Sequence, residues 1–198
     1  MIFPTNKICC YKYDDIYKFV QLCDKYADEN GIDSNNLIFR VTPKILGVEA
    51  LFNKKDNTLL SYDVDDFGID VSFLLDKNMV IIGDNENNNL SGNIVVFSKH
   101  YKNSTSNIKH SKDYIVDCKK IKMSTDGWFK DKNIHFIVLN SLNGLSVNST
   151  SLLYSLRYIA EILAIECPYL TNGVFVQVVD VVLNKLMGYD SLCHLMEW

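Results

Sequence analysis

From Asp14 to Asn30 the apolar positions Ile16, Phe19, Val20, Cys23 and Tyr26 recur at three- and four-residue steps. Asp14 and Asp15 suit the amino end of a helix and Asn30-Gly31 suits its stop, so the segment predicts an amphipathic helix. Leu37 to Val41, Ile45 to Phe52 and Leu59 to Val64 then read as three strands of a small antiparallel meander, with Lys54-Lys55-Asp56-Asn57 as the last break. A short apolar element follows at Phe67 to Leu75. Met79 to Ile82 and Asn93 to Phe97 are expected to form a hairpin across the Asn-rich turn at Asp84 to Asn89.

Lys99 to Asp113 has no apolar residue except Tyr101 and Ile108, which marks an exposed polar connection near the middle of the chain. Tyr114 to Met123 and Ile134 to Leu139 read as strands. In Ser149 to Glu166, Leu152, Leu156, Ile159 and Leu163 repeat at helical spacing, and Leu153, Ala160 and Ala164 widen the stripe. Asn148, Ser149 or Thr150 can cap this helix and Pro168 stops it. Val174 to Met187 is Val-rich and predicts strand, broken near Val179-Asp180, and Ser191 to Trp198 predicts a closing strand. The expected fold class is α+β, an antiparallel sheet with two prominent helices, in one compact unit or two small related halves. The halves would be 1–98 and 114–198, joined by the polar connection 99–113.

Of the 198 residues, 47% are hydrophobic and 22% charged, the composition of a folded chain and not a disordered one. A net charge of −4 argues against holding nucleic acid by bulk positive charge. Only Arg40 and Arg157 among the 20 basic residues are arginine, so bidentate reading of guanine has few candidates. The Lys bias with abundant Asn, Ile and Tyr resembles coding from an AT-rich genome, as in a virus, a parasite or a low-GC bacterium. Cys9, Cys10, Cys23, Cys118, Cys167 and Cys193 include no pair at the two-residue spacing of a zinc site, and the thiols are expected to be mostly reduced and buried. Met1 to Lys12 offers no apolar core for a signal peptide, so the Asn-x-Ser/Thr triplets at Asn89, Asn103 and Asn148 are read as chance. No run approaches the ~20 apolar residues of a membrane span. The expectation is an intracellular protein, cytoplasmic or nuclear, not secreted and without membrane contact.

Candidate chemistry is sparse. His100 and His110 could bind a metal with Asp113 or Asp117, but a ten-residue spacing fixes no geometry and polar loop histidines are the simpler account. His135 stands at an alternate strand position and could act as a general base, although spacing implies no partner carboxylate. Asp63, Asp65, Asp66 and Asp70 lack the ordered pattern of a calcium loop, and a solvated strand edge accounts for them. Cys9-Cys10 fits a strand start with one thiol on each side. Lys12, Lys18 and Lys25, at six- and seven-residue steps, fall near one helical face and could touch phosphates, or they form a plain solvated face. No phosphate-binding glycine loop, nucleophile elbow or paired helical histidine is present. No enzyme activity, cofactor or metal is expected.

The order of elements resembles the DNA sliding clamp family. The likeness runs from the helix Asp14 to Asn30 through SNNLIFRV, KILGVEALF and TLLSYDV to FGIDVSFLLDK. It returns in SLLYSLRYIAEILAIECPYLTNGVFVQV and the closing DSLCHLMEW. The resemblance covers about half the chain and rests on apolar spacing. It implies a reduced two-domain clamp-like fold and a non-enzymatic scaffold that contacts duplex DNA non-specifically and recruits protein partners, with homo-oligomers expected. Lys12, Lys18, Lys25 and Arg157 would then face DNA. Lys99, His100, Tyr101, Ile108 and His110, with the chain end, would receive partner peptides. The chain departs from the family in its shortness, in lacking an evident first helix between Tyr114 and Ile134, and in its sparse basic residues. The alternative is a viral or parasite protein-interaction module that binds a host protein and has no DNA role.

Overall fold

The structure is a computed structural model that describes residues 8–10, 13–63, 66–83, 87–98, 130, 132–139, 141–188 and 192–196. In chain order its elements are β1 (Ile8–Cys10), α1 (Tyr13–Glu29), β2 (Ile38–Ile45), β3 (Val48–Asn53), β4 (Thr58–Asp63), β5 (Asp66–Asp70), β6 (Val80–Ile82) and β7 (Asn89–Ser98). There follow β8 (Lys132–Val138), β9 (Leu145–Asn148), α2 (Ser149–Glu166), β10 (Thr171–Val178), α3 (Val181–Met187) and β11 (Leu192–Met196). Short 3-10 turns occupy Ser34–Asn36 and Ser72–Lys77. The fold is mixed α+β.

The chain divides into two compact units. One comprises residues 2–44, 143–167 and 171–198, and holds a five-stranded sheet in the order β1-β11-β10-β2-β9. Within it β1 runs parallel to β11, while β10 with β11 and β2 with β9 are antiparallel. Alternation puts Leu37, Phe39 and Val41 on one face with Val174, Val176 and Val178, and the inner stripes of α1, α2 and α3 pack into the same core. Phe19 meets Phe39 edge to face, with ring centroids 6.1 Å apart.

The other unit, residues 45–142 with 168–170, holds a six-stranded sheet in the order β5-β4-β3-β7-β8-β6. All its pairings are antiparallel except β6 with β8. Its core is built on Phe52, Leu59, Leu74, Leu90, Ile94, Ile134 and Phe136. Glycine is required at Gly92, where β7 and β8 are so close that a Cβ would strike the Ile137 carbonyl oxygen and the Phe136 ring.

Four expectations are corrected. Val174 to Met187 does not continue as strand: Val181–Met187 is helix, because the Asp180 side chain accepts from Leu183 N at 2.7 Å and Leu183 and Met187 are buried one turn apart. Val-rich composition favours strand only weakly, and this cap and core contact override it. Met79 to Ile82 does not form a hairpin with Asn93 to Phe97, since β6 pairs in parallel with β8 while β7 lies between β3 and β8. The three-strand meander is broken too, because β2 joins the five-stranded sheet and β3 and β4 the six-stranded one. Phe67 to Leu75 is two elements, β5 and a 3-10 turn, with Asp70 Oδ1 accepting from Ser72 N at 2.8 Å between them. Tyr114 to Met123 and the connection 99–113 lie outside the described residues.

Candidate protein-interaction surface

Local signals set the position of α2. Asn148 Oδ1 accepts from Ser151 N at 2.8 Å and satisfies one of the free donors of the first turn. Pro168, which biases the residue before it away from helical backbone, leaves Cys167 extended at φ −66°, ψ 127° as the last cap. Between these stops, Leu152, Leu156, Ile159, Ala160 and Leu163 are buried. At ~100° per residue these five cluster on one side of the cylinder.

The opposite side is also apolar. Tyr154 is 83% exposed, Tyr158 66% and Ile165 78%, and with Glu161 they stand at steps of four, three and four residues. This spacing confines them to a strip ~60° wide and about 16 Å long. Arg157 flanks the strip, its Nε 3.2 Å from Glu161 Oε1. The outer ends of α3 add exposed Val181, Val182 and Leu186 in the same unit.

α1 shows a different outer face. Asp14, Tyr17, Lys18, Gln21, Lys25, Asp28 and Glu29 are exposed, and Tyr17 is the one large apolar side chain among them. Lys18 Nζ lies 3.6 Å from Asp15, and Lys25 Nζ 3.8 Å from Glu29. The pKa of Asp24 is raised by partial burial and by neighbouring Asp28, the signature of a crowded acidic helix. On the buried side the Cys23 thiol is pushed up to about 12, mainly by burial, and so stays protonated. Cys23 and Cys167 are both buried.

Lys18, Lys25 and Arg157 are therefore exposed, each beside a carboxylate one turn away. Lys12 lies outside the described residues, as do Lys99, His100, Tyr101, Ile108 and His110. His135 lies on the face of β8 opposite the Ile134 and Phe136 core, with Nδ1 3.0 Å from the Tyr169 hydroxyl, and its pKa is lowered by burial. Asp70 is held below the usual carboxylate range by hydrogen bonds from Ser72, a turn-capping role. Among the described residues no cluster of His, Cys, Asp or Glu could hold a metal ion, and no helix is long and apolar enough to cross a membrane.

Reading the sequence for one apolar stripe missed Tyr154, Tyr158 and Ile165. The signal was there in the four- and seven-residue steps on the side away from Leu152 and Leu156. Set beside known proteins, the chain matches no family model and has no similar curated relative.

Proposed function

We propose that the chain is a protein-interaction scaffold whose contact surface is the outer strip of α2. The carrying observation is the exposure of two tyrosines and an isoleucine along one line of a helix whose other side is fully committed to the core. A helix apolar on both sides exposes surface that water disfavours, and burial by a protein partner relieves this. Tyrosines suit the task because they give large contact area with few rotamers to freeze.

The clamp-like reading draws support from the exposure of Lys18, Lys25 and Arg157 on the two helices that share one core. Their surroundings favour a protein partner instead. From Tyr13 to Glu29, α1 carries Asp14, Asp15, Asp24, Asp28 and Glu29 against Lys18 and Lys25 alone. Releasing counterions from a duplex needs a positive surface, and these lysines already have neighbouring anions.

The test compares the chain with its Tyr154→Ser/Tyr158→Ser variant for protein association and for duplex binding. The variant is expected to keep its circular dichroism and thermal midpoint, and to lose partner affinity by about thirtyfold or more. Unchanged association would refute the strip. Duplex binding that falls steeply with salt and disappears in Lys18→Glu/Lys25→Glu would put the clamp-like reading ahead.

A further inference from the structure

We propose that the partner of the α2 strip is a second copy of this chain, docked antiparallel through the same helix. The inference rests on the interaction reading above and names its occupant. Tyr154, Tyr158, Glu161 and Ile165 are spaced four, three and four residues apart, which reads the same in both directions. A two-fold axis perpendicular to α2, running outside the strip at the level between Ile159 and Ala160, therefore sets the strip against the same strip of the second copy. It sets Tyr154 against the second copy's Ile165 and Tyr158 against its Glu161. An interface built on one patch must be self-complementary in this way.

Charge follows the same symmetry. Arg157 and Glu161 stand one turn apart, on either side of the axis, and already attract one another at 3.2 Å. Both are largely solvent-exposed, so the intrahelical pair is weak and can exchange. In the dimer the Arg157 guanidinium of each copy reaches the Glu161 carboxylate of the other, and the Tyr158 hydroxyl donates to that carboxylate. Two crossed ion pairs then lie beside the axis, between the outer contacts of Tyr154 with Ile165. A parallel arrangement would instead place Arg157 beside Arg157 and Glu161 beside Glu161, which like charges disfavour. The single turn of exposed valines on α3 has no comparable symmetry.

A strip of this length covers less than the ~800 Å² per partner of a standard interface, so the dimer dissociates on dilution. Sedimentation and light scattering of the full chain across a dilution series test it. A reversible monomer–dimer equilibrium is expected. Tyr154→Ser should leave monomer, and Arg157→Glu should weaken the dimer about tenfold or more by setting two carboxylates together. Arg157→Glu/Glu161→Arg should return the constant to within about threefold of the parent, since the exchanged charges again face each other across the axis. Circular dichroism on every variant separates lost association from lost helix.

A dimer indifferent to Tyr154→Ser and Arg157→Glu would overturn the proposal, and so would a double variant no better than the single one. Two monomeric outcomes separate the layers of the argument. If the chain stays monomeric yet Tyr154→Ser/Tyr158→Ser loses a different protein partner, self-association is wrong and the interaction reading stands. If it stays monomeric and the strip variant binds as the parent does, both are wrong.

Discussion

α1 and α2 are 17 and 18 residues long, lie in the same unit and bury their inner stripes in the same core. Their outer faces part company. α1 turns carboxylates, lysines and one tyrosine outward, whereas α2 turns out Tyr154, Tyr158 and Ile165 around a single ion pair. Packing against the sheet accounts for one side of each helix and is indifferent to the other. The outer side is free to vary with what it meets, and water alone is enough to explain α1. It does not explain α2, where large apolar side chains stand exposed in line.

The strongest test of this contrast is whether the inner faces really are equivalent. Phe19→Ala on α1 and Leu152→Ala on α2 remove side chains that are 1% and 0% exposed. Each is expected to cost about 3 to 4 kcal/mol, read by chemical denaturation. A loss confined to one helix would mean that the other is docked for a reason besides the core, and the comparison would fail. A smaller effect sharpens the same point at the helix end. Asn148→Ala removes the acceptor for Ser151 N and should cost about 1 kcal/mol without touching the outer strip. If the cap variant also loses association, the strip depends on the order of the first turn.

Legibility followed the range of the determining interactions. Ser149 to Glu166 emerged with its observed bounds because Asn148 and Pro168 lie next to it in the chain and act locally. α1 likewise ends where Asn30-Gly31 stands, with Gly31 at φ 70° and Ile32 N bonded to Ala27 O at 2.9 Å. The strand partners were not legible. Nothing in Val80–Ile82 says that it will run parallel to Lys132–Val138 across a long stretch of chain, and β2 and β3 are only two residues apart yet belong to different sheets. α3 was hidden because its β-branched residues favour strand, while the Asp180 cap and the buried Leu183 decide for helix. At the surface, the pairing of Lys18, Lys25 and Arg157 with acids three or four residues away was visible in the spacing. What a search for one apolar stripe passed over was the second line, Tyr154, Tyr158 and Ile165, on the side of α2 that the core leaves in water.

The smallest effect concerns the acidic character of α1. Asp24 has its pKa raised above the ordinary 3.8 by burial and by Asp28, so its ionised form is less favourable in the folded chain than in the unfolded one. The folded state then holds its proton to higher pH, and stability declines as pH rises from about 3.8 through the raised value. Asp24→Asn removes the charge while keeping the shape. It should raise the thermal midpoint slightly at neutral pH, by less than the cap variant lowers it, and the gain should vanish well below pH 3.8, where Asp24 is protonated in the folded and the unfolded chain alike. Since Asp24 is off the α2 strip, the substitution should leave self-association unchanged. A stabilised α1 that altered the dimer would show that the two outer faces are not independent, contrary to the division between a solvated helix and a docking helix.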